Sequence, residues 1–405
     1  MTDTLESVFR AERAAILAVL ARRLGDLELA EDAFQDALAR AAARWPADGV
    51  PGRPGAWLTV VAWRSALDRR RREHPRGAEQ ELEDLPGAER AWTDLPVEDD
   101  RLALILACCH PALAPEDRVA LTLRHVVGLT DREVAAGFVV ATAAMTKRLV
   151  RARRKLRDAG ISFALPLRDE LPSRMDAARA VITLVFSQGY LSGGDGPPIR
   201  DELCDEAAWL AEQLLELRPE DPETIGLLAM ILLHAARRPA RLDARGGLVA
   251  FADQDPGRWD RAALERARAL LARTGHSPPG PYRLQAAIAA VQTFAAADGR
   301  PVPWHHVDRL YAALARQAPT PVVDVNRAVA AGHARGPRAG LAILAEVEAG
   351  GRLRHYAPFH AARADLLERA GRPGPAAEAW ARAIGCADNP SQRARLAQLA
   401  RQSGA

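Results

Sequence analysis

At 405 residues the chain is long enough for two to four domains, each with its own core. A net charge of +3 makes it neither a polyanion nor a strongly basic protein, no run of about 20 apolar residues could span a membrane, and four cysteines do not make a disulfide framework. The opening stretch, MTDTLESVFRAER, carries charges throughout and lacks an apolar signal core, which predicts a cytoplasmic protein. Apolar residues recur at helical spacing nearly everywhere and β-branched alternation is scarce, so the expected fold is all-α.

Residues 5–44 read as two amphipathic helices broken near Gly25-Asp26. The second places Asp32, Gln35 and Asp36 on one exposed side, with Ala33, Leu38 and Ala41 turned inward. After the loop PADGVPGRPG comes AWLTVVAWRSALDRRRR, a helix with Trp57, Val61 and Leu67 available to a core and Trp63, Arg64, Asp68 and Arg69 exposed. Tryptophan beside arginine suits stacking on unpaired bases and neutralising phosphates, although a helical tryptophan also serves a core.

Charge is distributed in blocks. Arg64 to Arg76 holds six arginines, Gly77 to Asp100 holds nine acidic residues and one arginine, and Lys147 to Arg157 is basic again. That order suggests two nucleic-acid-facing modules joined by an acidic tether. Between the blocks, Cys108, Cys109 and His110 lack the further ligands a tetrahedral metal site requires, and read as packed small thiols.

LTDREVAAGFVVATAAMTKRLVRARRKL, residues 129–156, predicts two short helices around a tight turn. Thr130 and Glu133 form a capping box, and Thr142 stands where the second helix begins. Val134, Phe138, Met145, Leu149 and Leu156 face inward, with Val140 closing a bend that has Val139 where glycine would be easier. The second helix would expose Thr142, Ala143, Thr146, Lys147, Arg148, Arg151 and Arg154. Small and hydroxyl side chains at its leading end would let it enter a major groove, which a merely solvated basic face does not need.

DLELAEDAFQDAL, AWLTVVAWRSALDRRRR and the helix-turn-helix, in that order, resemble the two core domains of an extracytoplasmic-function sigma factor of the sigma-70 family. The resemblance covers about residues 5–160. It implies a first sigma domain over 1–76, an acidic linker over 77–100 and a second sigma domain over 101–160. It implies that Asp32, Gln35 and Asp36 dock on the clamp helices of the β′ subunit of core RNA polymerase, with the β subunit also a partner. Trp63, Arg64, Asp68 and Arg69 would capture the −10 promoter element, and the helix-turn-helix would read the −35 element of promoter DNA. Arg64 stands where family members often have asparagine; arginine stacks on a base or grips phosphate but accepts no hydrogen bond.

Beyond Pro166 the chain reads as a helical-repeat array, expected over 168–405. HAARADLLERAGRPGPAAEAWARAIGCADNP follows the grammar of a tetratricopeptide (TPR) repeat, with Ala364 and Leu367 in a first helix, Gly371 ending it, and Ala376, Trp380 and Ala383 in a second. Gly336-Pro337 repeats Gly374-Pro375 at an interval of 38 residues. RPARLDARGGLVAFADQDPGRWD, residues 238–260, suggests a small β-hairpin between repeats. The array would hold a protein or peptide, or the sigma domains themselves, and the whole chain resembles the group of such factors that carries a TPR-like C-terminal extension.

No phosphate loop, metalloprotease motif or nucleophile elbow is present, and neither an enzyme nor a cofactor is expected. The rival reading is a stand-alone helix-turn-helix regulator with a TPR-like sensor, which leaves the Asp32 face and the tryptophan–arginine helix without roles.

Overall fold

The computed structural model describes residues 2–73, 104–106, 108–110, 112–138, 140–159, 171–193, 196–275, 278–351 and 353–402. The acidic linker, Val139 and the apolar tether with Ile161, Phe163, Leu165 and Leu167 lie outside these residues. The described residues are all-α, and they divide into two compact units, Met1–Val181 and Ile182–Ala405.

The first unit opens with α1 (Thr2–Leu24), α2 (Leu27–Asp48) and α3 (Pro54–Glu73). Gly25, at a φ of 66°, turns the chain, and Asp26 caps α2 by accepting from the amides of Glu28 and Leu29 at 2.8 and 3.1 Å. The three helices bury Leu17, Leu20, Phe34 and Leu58 completely. On α3 the inward stripe is Leu58, Ala62 and Ala66 with Leu67, while Trp57 and Val61 are only half-buried. Trp57 packs edge-on to Trp45 instead, with ring centroids 5.5 Å apart.

Helices α4 (Pro115–His125), α5 (Asp131–Gly137) and α6 (Thr142–Asp158) follow and pack on one another. Both halves of the Thr130–Glu133 capping box are formed. Val134, Met145, Leu149 and Leu156 are buried as the spacing predicts, Phe138 is half-buried, and Val140 is exposed rather than closing the bend. The bend is held by backbone: the Val140 amide donates to the Ala135 carbonyl.

Helix α7 (Leu171–Tyr190) runs through the division between the units. The second unit continues with α8 (Asp201–Leu217), α9 (Pro222–Ala235), α10 (Arg261–Arg273), α11 (Pro281–Ala297), α12 (Trp304–Gln317), α13 (Pro321–Arg335), α14 (Pro337–Ala349), α15 (Ala357–Arg369), α16 (Pro373–Cys386) and α17 (Pro390–Gln402). From α11 on, successive helices pack on each other, α13 with α14 and α15 with α16 most extensively, while α9 packs on α8, α10 and α11. Gly336 and Gly371, at φ of 94° and 73°, end the first helix of each pair. Ala364, Leu367, Ala376, Trp380 and Ala383 share one core, as their spacing predicts.

The expected hairpin is not formed. Residues 238–260 fold as three 3₁₀ turns, Arg238–Ala240, Phe251–Asp253 and Pro256–Arg258, with one isolated antiparallel bridge between Leu242 and Leu248. The Asp243 carboxylate collects the amides of Arg245 and Gly247 at 2.8 Å each, so the Arg-Gly-Gly turn closes on a side chain and no strand ladder extends from it.

Candidate nucleic-acid and polymerase interface

Asp32, Gln35 and Asp36 lie on α2 as expected, with Asp32 and Gln35 exposed and Asp36 half-buried. The acids are not free. Arg69 on α3 pairs with Asp32 and lies 3.7 Å from Asp36, which also accepts from Ser65 Oγ at 2.6 Å. Residues assigned to two different partners thus form one network across α2 and α3. Arg64 and Asp68 are exposed, and Asp68 sits 3.8 Å from Arg71. Trp63 is half-buried rather than exposed, because Ser65, Ala66 and Leu67 occupy the buried side of α3 and draw its flank inward.

On α6, Thr142, Ala143, Thr146, Lys147, Arg151 and Arg154 are all exposed. Two of these side chains are tethered: Thr146 Oγ1 donates to Asp131 at 2.6 Å, and Arg154 lies 3.6 Å from Asp158. Burial alone would raise the Asp131 carboxyl, but hydrogen bonds from Thr146 and Arg124 hold it below its ordinary range. Arg148 is half-buried, 3.5 Å from Asp117 and 3.9 Å from Glu116, with its guanidinium 6.0 Å from the Phe138 ring centroid. Its charge is therefore partly spent inside the module. Among the described residues Lys147 and Arg151 make no ion pair, leaving two unneutralised cations one turn apart on the exposed face.

Sequence reasoning missed the contact between the two small modules. Glu31 on α2 accepts from Arg13 Nη2 of α1 at 2.8 Å and lies 2.6 Å from His125 Nδ1 of α4, with Arg13 and His125 only 3% and 1% exposed. Burial would push the Glu31 carboxyl up; His125 and Arg13 overcome it and hold the carboxyl down at about 2. Gly128, at a φ of 82°, closes over this cluster, and a Cβ there would stand 3.0 Å from Arg13 Cδ. Arg157 at the end of α6 also pairs with Glu28 on α2. A glutamate and a histidine nearly 100 positions apart carry no joint sequence signal.

The thiols are buried as expected. Burial raises both Cys108 and Cys109, the latter to about 12, and no cluster of metal-ligating side chains occurs among the described residues. No helix among the described residues is long and apolar enough to cross a membrane.

The Sigma-70 region 2 family matches residues 8–76, and a family of unknown function (DUF6596) matches residues 174–275. An uncharacterized protein of Rhizobium meliloti is 40% identical over 97% of this chain and 95% of its own length. A probable ECF RNA polymerase sigma factor of Mycobacterium tuberculosis, SigI, is 30% identical over 47% of this chain and 64% of that protein. The ECF RNA polymerase sigma factor SigG of the same organism is 34% identical over 36% of this chain and 45% of that protein. No solved structure matches. With the region 2 match lying on the three-helix module that carries Asp32, Asp36 and Arg69, the chain belongs to the extracytoplasmic-function sigma factors of the sigma-70 family.

Proposed function

We propose that this sigma factor binds core RNA polymerase through Asp32, Gln35 and Asp36, captures the −10 element with Trp63, Arg64, Asp68 and Arg69, and reads the −35 element with α6. The observation that carries the reading is the pairing of a region 2 module with an exposed basic helix whose leading end, Thr142 and Ala143, is small enough to enter a major groove. Lys147 and Arg154 are assigned to phosphates. Thr146, Arg148 and Arg151 are assigned to base edges, Arg148 after exchanging Asp117 for a base.

The two modules must part to do this. The elements are centred about 25 base pairs apart, roughly 85 Å of B-form DNA. A compact body of about 150 residues has a radius of gyration of only about 15 Å. The arrangement latched by Glu31 and His125 is thus a closed form of the factor, and promoter engagement breaks the latch. The TPR-like array biases this opening and regulates the factor from within the same chain.

Run-off transcription with purified core polymerase tests the reading. The full chain should direct initiation at a two-element promoter, and an Asp32→Lys/Asp36→Lys chain that stays folded should not. Unchanged core affinity in that double variant refutes the docking assignment. DNA binding with no core binding at all would favour the stand-alone regulator. For the array, hydrogen exchange across residues 12–156 is compared between the full chain and one ending after α7. Identical protection and equal transcription in both would rule out regulation by the array.

A further inference from the structure

Within the second unit, two buried arginines stand without an acid. Arg237, just past the end of α9, and Arg241, after the first 3₁₀ turn, are each 8% exposed. Both lie against Tyr190. Arg237 Nη2 donates to Tyr190 Oη at 2.9 Å, while the Arg241 guanidinium lies 3.6 Å from the Tyr190 ring centroid and donates to the Tyr190 carbonyl. Arg237 also stacks on Phe251 at 4.7 Å and donates to His234 Nδ1 at 2.7 Å. With burial and both arginines beside it, His234 is pushed well below its usual range and adds no charge.

The acids of the surrounding segment are engaged elsewhere. Asp201 and Asp205 hold Arg238 at 3.1 and 2.6 Å, and Asp253 holds Arg395 at 3.0 Å. Asp243, Asp255 and Asp260 each accept from backbone amides at 2.8 to 3.1 Å. Neither Arg237 nor Arg241 forms an ion pair among the described residues. Three buried polar atoms of the same cluster also lack a hydrogen-bond partner: Arg237 Nε, Trp259 Nε1 and Gln254 Oε1. Trp259 stacks on Phe251 with centroids 6.2 Å apart and is 4% exposed, and Gln254 is 9% exposed.

Two neighbouring cations withdrawn from water, with orphaned N–H donors beside them, are expensive unless an anion completes the cluster. The π faces of Tyr190 and Phe251 offset only part of that cost. We propose that Arg237 and Arg241, with Trp259 Nε1, form a binding site for a small oxyanion, the phosphate or carboxylate group of a small molecule. Planar guanidinium forks match the paired oxygens of such groups. The slight exposure of both arginines argues against a docked macromolecular surface and for a small terminal group. The site lies within the stretch matched by the family of unknown function and is independent of how the sigma modules act.

Equilibrium dialysis of the full chain against radiolabelled inorganic phosphate, at constant ionic strength in chloride, tests this. Acetate and succinate serve as competitors, and a thermal melt is run alongside. One saturable phosphate site is expected, with a midpoint rise of a few degrees over chloride at saturation. Arg237→Gln/Arg241→Gln should weaken binding about tenfold or more, while Arg395→Gln, which removes an arginine already paired, should leave it unchanged. If the double variant does not fold, Arg237→Lys supplies the comparison, keeping the charge and losing the fork. Displacement by carboxylates alone assigns the site to a carboxylate ligand. Absence of saturable binding of any of the three anions to the unmodified chain overturns the proposal. So does binding that persists unchanged in Arg237→Lys and in the double variant.

Discussion

Oε2 of Glu31 lies 2.6 Å from Nδ1 of His125, and through that contact the α2 helix of one module holds the α4 helix of the other. Replacing Glu31 with Gln leaves Arg13 and His125 buried without their carboxylate. A buried pair broken on one side typically costs about 3–5 kcal/mol. The variant should show faster hydrogen exchange over α1, α2 and α4. If opening is needed for promoter engagement, it should also show tighter promoter binding together with core polymerase. Slower exchange, or unchanged exchange in all three helices, would show that Glu31 does not hold the modules together.

Acid should release the same latch. The folded Glu31 carboxyl titrates at about 2, below its ordinary 4.5. Its contribution is therefore fully present above about pH 4.5 and is lost as pH falls toward 2. The depression corresponds to on the order of 3 kcal/mol at neutral pH. Urea melts of the full chain should lose stability across that window, and Glu31→Gln should flatten this part of the profile. An identical acid slope in both chains would rule Glu31 out as its source.

Removing Arg69 should move two activities in opposite directions. Arg69→Met frees Asp32 and Asp36, so affinity for a basic docking surface on core polymerase should rise by up to a few-fold, within the ~1 kcal/mol of a surface pair. Affinity for single-stranded −10 DNA should fall. Parallel loss in both assays would mean that Arg69 acts only by holding α3 against α2.

The two unpaired cations on α6 should separate by kind of effect. Lys147→Ala is expected to weaken all promoter sequences alike and to lower the salt slope by about 1. Arg151→Ala should relax preference at one base position by about 1–3 kcal/mol. A library of −35 variants read by both proteins checks this, and uniform loss for Arg151→Ala would reverse its assignment from base to phosphate.

Helix register was legible where breaks, capping and periodicity agreed, as at the Gly25-Asp26 break, at the Thr130–Glu133 box and across Ala364–Ala383. Where short-range chemistry competed, the sequence misled. Asp243 captured two amides and replaced a hairpin with a bridge. Leu58, Ala62, Ala66 and Leu67 took the inner side of α3, and Trp57 and Trp63 both stand half-buried. The pairing of Asp32 and Asp36 with Arg69, and of Glu31 with His125, depends on which faces meet after folding. No periodicity encodes such meetings.

The close crossing of α13 and α14 leaves no room for a side chain at Gly340. A Cβ on Gly340 would stand 2.5 Å from the Ala328 carbonyl oxygen and 2.7 Å from Leu366 Cδ1. Gly340→Ala should cost about 1–3 kcal/mol through overpacking and lower the melting of the second unit by several degrees. Protection of α1 to α6 should be untouched by this change, and a loss there would show that the units do not melt separately.

Helix α7 leaves the chain without a seam where its composition suggests one. Arg174, near the start of that helix, donates to the Leu106 carbonyl at 3.1 Å, while Tyr190 at its end underlies Arg237 and Arg241. A gene break between codons 160 and 170 would keep Tyr190 with Arg237 and Arg241 but take from the first product the guanidinium that holds the Leu106 carbonyl. An array exchanged by a cut before α7 would have to bring an arginine matched to Leu106, and one exchanged by a cut after residue 190 would have to bring arginines matched to Tyr190. The halves of this protein are therefore constrained to be inherited as one piece, even where their duties are separate.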